Sequence, residues 1–490
     1  MIVAKYIYKF ISRAKRQERK ELYMEYGILS LAPAFIALVL AFITRDALLS
    51  ILIGVIVGII ITGQNVVTGF TGLIQEALGN ADFMWVLAIE VFIGILVAYF
   101  QKSGAIKAFA DVIGKYNLKS RGAATLSYAL GIFIFFSDYF SPLYVGNVMR
   151  PITDKAKVAR EKLAYICDST SAPICCLIPF TSWAIYVAGL LVGIGAIADA
   201  SIAQDVVVHS APYNLYCIFA LVFCGLFSTK ILPDFGPMRK AEKRAMEEGK
   251  VIADGANPLL SRELDGIQPK EGIKPNLLIN FLMPAVIIIG ITVGTYVITG
   301  TAKTLEAFVV AVAYQFVTLL IQKMATLKEM MDTAIEGIKS VMSAILILAM
   351  AYCINSISGT LGTANYVISV TESWMTPVTL LVMTFLICAF ISFFTGTAWG
   401  VFAIMIPIAI PLAFNVSGGE LNGIVYAAVG AVMGGGTFGD HCSPLSDTTI
   451  LSSLAAGSDH VDHVKTQIPY ALLSAICSCI GFLIIGFIYS

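Results

Sequence analysis

The chain has 490 residues, 58% of them hydrophobic and only 13% charged. Soluble domains carry about 25% charged residues, so most of this surface faces something other than water, and a soluble enzyme or binding module is excluded. The 32 basic and 32 acidic residues cancel, which leaves no global field for a nucleic-acid partner.

In chain order, residues 1–26 form a basic arm carrying Lys5, Lys9, Arg13, Lys15, Arg16, Arg19 and Lys20, without the apolar core and cleavage site of a signal peptide. A membrane crossing needs about 20 apolar residues. On that scale full crossings are expected at 27–44, 46–63, 83–100, 211–230, 276–299, 303–321, 338–356 and 467–488. Four further apolar stretches are interrupted. Residues 121–152 and 376–414 break midway at a polar or glycine-rich patch; 160–194 and 422–457 break at runs of Ser, Thr, Asp, Gly and Pro. The ten cysteines fall mostly in apolar runs without metal-ligand spacing, and are expected to be free packing residues.

The order repeats. Each half has three crossings, one hairpin-like stretch, one broken helix and one closing crossing. Residues 27–230 are the first repeat, 231–275 a polar, basic linker placed in the cytoplasm, and 276–490 the second repeat. Five crossings per half is an odd number, so the second repeat is inverted relative to the first. The fold class expected is an all-α polytopic membrane protein of two inverted-topology repeats, each with a re-entrant hairpin and a broken transmembrane helix. Loop charges agree: 195–210, 357–375 and 415–422 contain no Lys or Arg and fall outside, whereas 101–121, 150–162 and 322–339 are basic and fall inside. The basic N-terminal arm conflicts with this count, which places it outside.

Four polar constellations mark the interruptions. Hairpin one turns at Ser137-Asp138-Tyr139-Phe140-Ser141-Pro142, followed by Asn147. Helix one breaks at Asp168-Ser169-Thr170-Ser171, ahead of Pro173. Hairpin two turns at Thr395-Gly396-Thr397. Helix two breaks from Gly434 to Pro444, through Asp440, His441 and Ser443, and continues through Ser446, Asp447 and Thr448. Backbone freed from helical bonds cannot face lipid, and carboxylates at membrane depth are expensive unless paired or functional. Freed carbonyls and hydroxyls suit a hard cation, while freed N–H groups suit an anion. These residues are therefore the expected cation- and substrate-binding set, with Asp138 and Asp440 holding Na⁺. Glu90, mid-crossing, is either a proton-linked carboxylate or a side chain buried against a neighbour. His460 and His463 are expected to be solvated in a cytoplasmic loop.

The stretch Gly439-Asp440-His441-Cys442-Ser443-Pro444-Leu445-Ser446-Asp447-Thr448-Thr449-Ile450-Leu451-Ser452-Ser453 resembles the signature of NhaC-type Na⁺/H⁺ antiporters. So do Met149-Arg150-Pro151-Ile152-Thr153-Asp154, Arg160-Glu161-Lys162-Leu163-Ala164-Tyr165 and Asp168-Ser169-Thr170. The resemblance runs from about residue 120 to the C-terminus. It implies a secondary transporter of the ion-transporter superfamily in a bacterial inner membrane, and a family whose members include Na⁺/H⁺ exchangers, malate/lactate exchangers and amino-acid carriers. Many relatives carry a second Asp and an Asn at the first hairpin, where this chain has Ser137 and Ser141. That loss removes one carboxylate from the tip.

The function expected is secondary active transport by alternating access, with Na⁺/H⁺ antiport first and Na⁺- or H⁺-coupled carriage of a small organic solute, an amino acid or carboxylate, second. No cofactor is expected beyond Na⁺ and H⁺ as coupling ions. The partners are those ions, an organic solute in the second reading, and the lipid bilayer, with homodimerisation left open. No G-x-x-x-x-G-K-[ST] loop is present to power a primary pump. An intramembrane aspartyl protease is set aside because Thr437-Phe438-Gly439-Asp440 lacks the expected Gly two residues before Gly439.

Overall fold

The computed structural model describes residues 26–44, 46–114, 118–135, 138–178, 181–258, 267–270, 275–299, 303–363, 366, 369–370, 376 and 378–489. The N-terminal arm, whose side of the membrane was in conflict, and Ser137 of the first hairpin lie outside these residues.

Among the described residues the chain is helical, without a sheet. The first half runs α1 (Ala32–Thr44), α2 (Ala47–Ile61), α3 (Val66–Gly79), α4 (Ala81–Ser103), α5 (Ala105–Gly114), α6 (Ser120–Phe133), α7 (Phe140–Lys155), α8 (Arg160–Ser169), α9 (Ala172–Cys175), α10 (Ser182–Leu191), α11 (Ala200–Ser210) and α12 (Leu215–Ser228). The linker contributes α13 (Gly236–Glu248). The second half runs α14 (Met283–Thr299), α15 (Thr304–Ile321), α16 (Leu327–Thr360), α17 (Leu380–Thr395), α18 (Ala398–Val416), α19 (Gly423–Cys442), α20 (Asp447–Ala456) and α21 (His460–Tyr489).

Five described helices are long and apolar enough to cross a membrane, or seven if two bent pairs each count as one span. The protein is thus a polytopic membrane protein, and its two halves share the expected element order. Hairpin one is α6 and α7; hairpin two is α17 and α18. The broken helices are α8–α9–α10 and α19–α20.

One element is new and one expectation is corrected. After residues 46–63, α3 leaves α2 at 116°, capped by Asn65, whose side chain accepts the Val67 and Thr68 N–H groups. The second break is narrower than its glycines imply, because α19 stays helical through Gly434, Gly435, Gly436 and Gly439. Those glycines serve packing. A Cβ at Gly435 would lie 2.4 Å from the Phe385 carbonyl, and one at Gly439 2.4 Å from the Ala389 carbonyl, so only Gly lets α17 approach this closely.

The packing is reciprocal between halves. Helix α20 packs against α7 of hairpin one, and α10 packs against α18 of hairpin two. Ala455 of α20 sits where a Cβ on Gly146 of α7 would be, 2.5 Å away. Trp183 of α10 meets Trp399 of α18 with ring centroids 4.9 Å apart. Each broken helix therefore seats its last segment on the opposite half's hairpin.

Candidate functional site

Each break follows from local sequence. Pro444 pushes Ser443 into extended backbone (ψ 132°), ending α19, and Ser446 (ψ 138°) precedes the first turn of α20. In the first half Ser171 leaves helical geometry (φ −100°, ψ −93°), and Pro173 stands in the opening turn of α9, where its missing N–H costs nothing.

Four segments converge on these breaks. The hairpin-one tip supplies Asp138 and Tyr139, α8 supplies Asp168 and Ser169, the end of α19 supplies Asp440 and His441, and the start of α20 supplies Asp447, Thr448 and Thr449. The Tyr139 hydroxyl donates to Asp447 Oδ2 at 2.8 Å, across the two halves. Asp447 Oδ1 accepts the Thr448 N–H at 2.8 Å. Asp168 Oδ2 accepts from the Thr449 hydroxyl at 3.1 Å and from Gln467 Nε2 at 2.6 Å. The same Gln467 nitrogen donates to the His441 carbonyl. His441 is held from both sides, Nε2 by the Ser169 hydroxyl at 3.0 Å and Nδ1 by the Tyr216 hydroxyl at 2.7 Å.

The cluster is acidic and mostly buried. Asp138, Asp168 and Asp440 are buried, and Asp447 lies within electrostatic reach of all three. One oxygen of each of Asp138, Asp168 and Asp440 has no hydrogen-bond partner. Among the described residues no ion pair joins any of the four to a Lys or Arg. Glu90 on α4 is 0% exposed, has neither oxygen partnered and also feels Asp447. No described group of three or more His, Cys, Asp or Glu side chains has the geometry of a resident metal centre.

Of the other expected site residues, Ser446 joins the acidic cluster and most of the rest satisfy nearby backbone. Thr170 and Ser171 are buried, but their hydroxyls satisfy the backbone of α8 through Ile166 and Asp168 carbonyls. Asn147 donates to the Leu143 carbonyl at 2.8 Å, one turn back in its own helix. Ser141 is buried with an unpartnered hydroxyl. Ser443 ties the second break to the end of α17 through the Phe393 carbonyl at 2.7 Å, and Ser446 shares its hydroxyl with Thr448 at 3.2 Å. Hairpin two touches the back of the second break: Gly396 (φ +70°) lies where a Cβ would meet the Leu445 carbonyl at 2.6 Å. Thr395 and Thr397 instead line a cavity of about 50 Å³ with Ser358 and Thr363.

Sequence reasoning missed Gln467, Tyr216 and the role of Tyr139. Gln467 stands at the edge of an apolar run, which reads as a membrane interface rather than a ligand. His460 and His463 are corrected outright. They are 5% and 0% exposed, inside the first turn of α21, because that helix begins seven residues before the apolar run does.

The sequence profile of the Na⁺/H⁺ antiporter family matches residues 174–487. The chain belongs to that family. An uncharacterized protein of Haemophilus influenzae is 32% identical over 95% of this chain and 92% of its own length. The malate-2H⁺/Na⁺-lactate antiporter of Bacillus subtilis is 28% identical over 33% of this chain and 34% of its own. The Na⁺/H⁺ antiporter NhaC of Alkalihalophilus pseudofirmus is 32% identical over 31% of this chain and 32% of its own. This chain therefore matches about a third of each of the two named exchangers. For this Na⁺/H⁺ antiporter family member, transport across a membrane is the activity that the composition, fold and family all give.

Proposed function

We propose that this protein exchanges Na⁺ for H⁺ by alternating access in a bacterial inner membrane, with Asp138, Asp168, Asp440 and Asp447 as the shared binding groups. The observation that supports this reading is the convergence of four carboxylates, three of them buried, drawn from both halves and without a basic partner among the described residues. Like charges in a low-dielectric site repel strongly. A bound cation or bound protons relieve that repulsion, and each displaces the other. The unpartnered oxygens of Asp138, Asp168 and Asp440 are the natural ligands for Na⁺ as transported substrate. The halves 27–230 and 276–490 would move against each other around this site, joined by the linker 231–275.

A second reading rests on a separate observation. The malate-2H⁺/Na⁺-lactate antiporter of Bacillus subtilis matches a third of this chain, which supports coupled carriage of a small organic carboxylate. Proteoliposomes with an imposed ΔpH separate the two. Dissipation of ΔpH on adding Na⁺ alone is expected. A response that requires malate, lactate or an amino acid in addition would replace pure antiport with coupled carriage.

A further inference from the structure

Below the acidic cluster, on the first turns of α21, His460 and His463 flank one hydroxyl. Ser453 Oγ lies 3.0 Å from His460 Nδ1 and 2.8 Å from His463 Nδ1, and it also reaches the Thr449 carbonyl at 2.8 Å. All three side chains are buried.

The direction of each hydrogen bond can be fixed from the outside inwards. Gln467 Nε2 faces two acceptors, the Asp168 carboxylate and the His441 carbonyl, so its amide cannot be turned around. Its Oε1 therefore faces His463, and His463 Nε2–H donates to it at 2.8 Å. His460 Nε2–H likewise donates to the Pro444 carbonyl at 2.9 Å. With both rings neutral, each Nδ1 is then a bare acceptor. The Thr449 carbonyl already takes its helical N–H within α20, so Ser453 has a single hydrogen for two bare ring nitrogens. The set is one proton short.

One added proton completes it. If His460 carries hydrogen on both nitrogens, Nδ1–H donates to Ser453 Oγ and the Ser453 hydroxyl donates to His463 Nδ1. The mirror arrangement, with the charge on His463, differs only by passing one proton through the hydroxyl. We propose that His460, Ser453 and His463 form a buried site for one exchangeable proton, coupled to the acidic cluster through Gln467 and Asp168. This deepens the exchange reading and rests on it for its role, but the protonation itself is independent of which solute is carried.

The groups facing the site frame its response. Asp459 lies next to His460, and His441 faces His463. Asp168 is reached through Gln467. Glu161 and Asp462 lie towards the linker side, with Arg160 Nη1 donating to the Gly457 carbonyl at 3.1 Å. Asp459 in turn accepts the Asn257 N–H at 2.8 Å, so the outer end of the site meets the cytoplasmic linker. Protons arriving from that side reach His460 first, and Gln467 is the last side chain before Asp168.

Imidazole nitrogen chemical shifts read this directly. The chain has four histidines, so ¹⁵N-histidine solid-state spectra of the wild-type protein in lipid, titrated from pH 5 to 9, resolve them, with His460→Gln and His463→Gln giving the assignment. The expected result is one imidazolium shared between His460 and His463, titrating as a pair and never doubly charged above pH 5. Na⁺ added at fixed pH should shift that titration, and Ser453→Ala should split it into two independent ones. Both rings neutral throughout, or two rings titrating separately in the wild type, would overturn the proposal. An intact shared proton in a protein that shows no Na⁺-driven ΔpH change would instead overturn the exchange reading and leave this site standing.

Discussion

A carboxylate that binds a cation or a proton differs from its amide by the charge alone, which is why single substitutions at this site are informative. Asp440→Asn keeps the shape of the α19 terminus and removes one ionisable oxygen from a group with no basic partner among the described residues. Na⁺-dependent dissipation of ΔpH in proteoliposomes is expected to fall to the level of protein-free vesicles, with Asp138→Asn behaving alike. Both variants should remain monodisperse in detergent, because neither carboxylate anchors an ion pair. Near-normal exchange in both would remove these residues from the mechanism. Gly396 makes a contrasting case, since its role is steric. A side chain there meets the Leu445 carbonyl and sits in the left-handed region. Gly396→Ala is expected to cost about 2 kcal/mol or more, read as a lowered melting temperature, and a melting temperature at or above wild type would contradict the hairpin-on-break contact.

The linker helix α13 is the element whose behaviour the membrane does not dictate. It docks Met238, Ala241, Glu242 and Ala245 against α8 and α21. Arg244 Nη2 meets both Glu161 oxygens at 2.9 Å, Lys162 pairs with Asp234, and the Tyr470 hydroxyl donates to Asp234 at 2.8 Å. Glu242 accepts the Ala159 N–H at 2.8 Å, and burial pushes its carboxyl above the usual range, against the pull of that N–H and of Lys162 and Lys230. The folded state then holds this proton at pH values where the unfolded chain has lost it. Its contribution to stability is present below the ordinary carboxylate range and declines as pH rises through the raised one. Glu242→Gln retains the acceptor for Ala159 and removes the buried charge, so the melting temperature should hold or rise at neutral pH and lose that slope. A marked drop at pH 7 would show that the ionised form, paired with Lys230, is the one that docks the helix.

At the scale of the whole molecule, two measurements test the arrangement. Cysteine labelling is expected to reach Ser201 and Gly419 from outside and Lys250 from the cytoplasm; labelling of 201 and 250 from one side would refute the inverted halves. Asp459 is a poor reporter despite its loop position, being 2% exposed against the linker. The second measurement concerns competition. If Na⁺ and protons share the carboxylates, each must weaken the other by the same factor. Apparent Na⁺ affinity is therefore expected to fall as pH falls through the titration of the site, and a flat response from pH 5.5 to 9 would leave coupled uptake of an organic solute as the better account.

Much of this was determined by the sequence alone. Crossings, hairpins and the matching order of the halves are written in runs of apolar residues and in where they stop, because bilayer thickness and the demand for internal hydrogen bonding leave few alternatives. Asp138, Asp168, Asp440 and Asp447 stood out for the same reason, as charges at depths where charge is costly. What only the tertiary structure decided was which groups face each other. The glycines of α19 read as a break from their flexibility, yet their use is to bring α17 within reach, a property of the neighbour rather than of the glycine. Thr395 and Thr397 share the composition of the other tips but turn to a separate cavity. Gln467, His460 and His463 lie where hydropathy places a loop and an interface, and their significance comes from partners 4 to almost 300 residues away in the chain. Periodicity and hydropathy report how one segment meets its solvent; the donors and acceptors that close a buried network come from several segments, and only packing assigns them to one another.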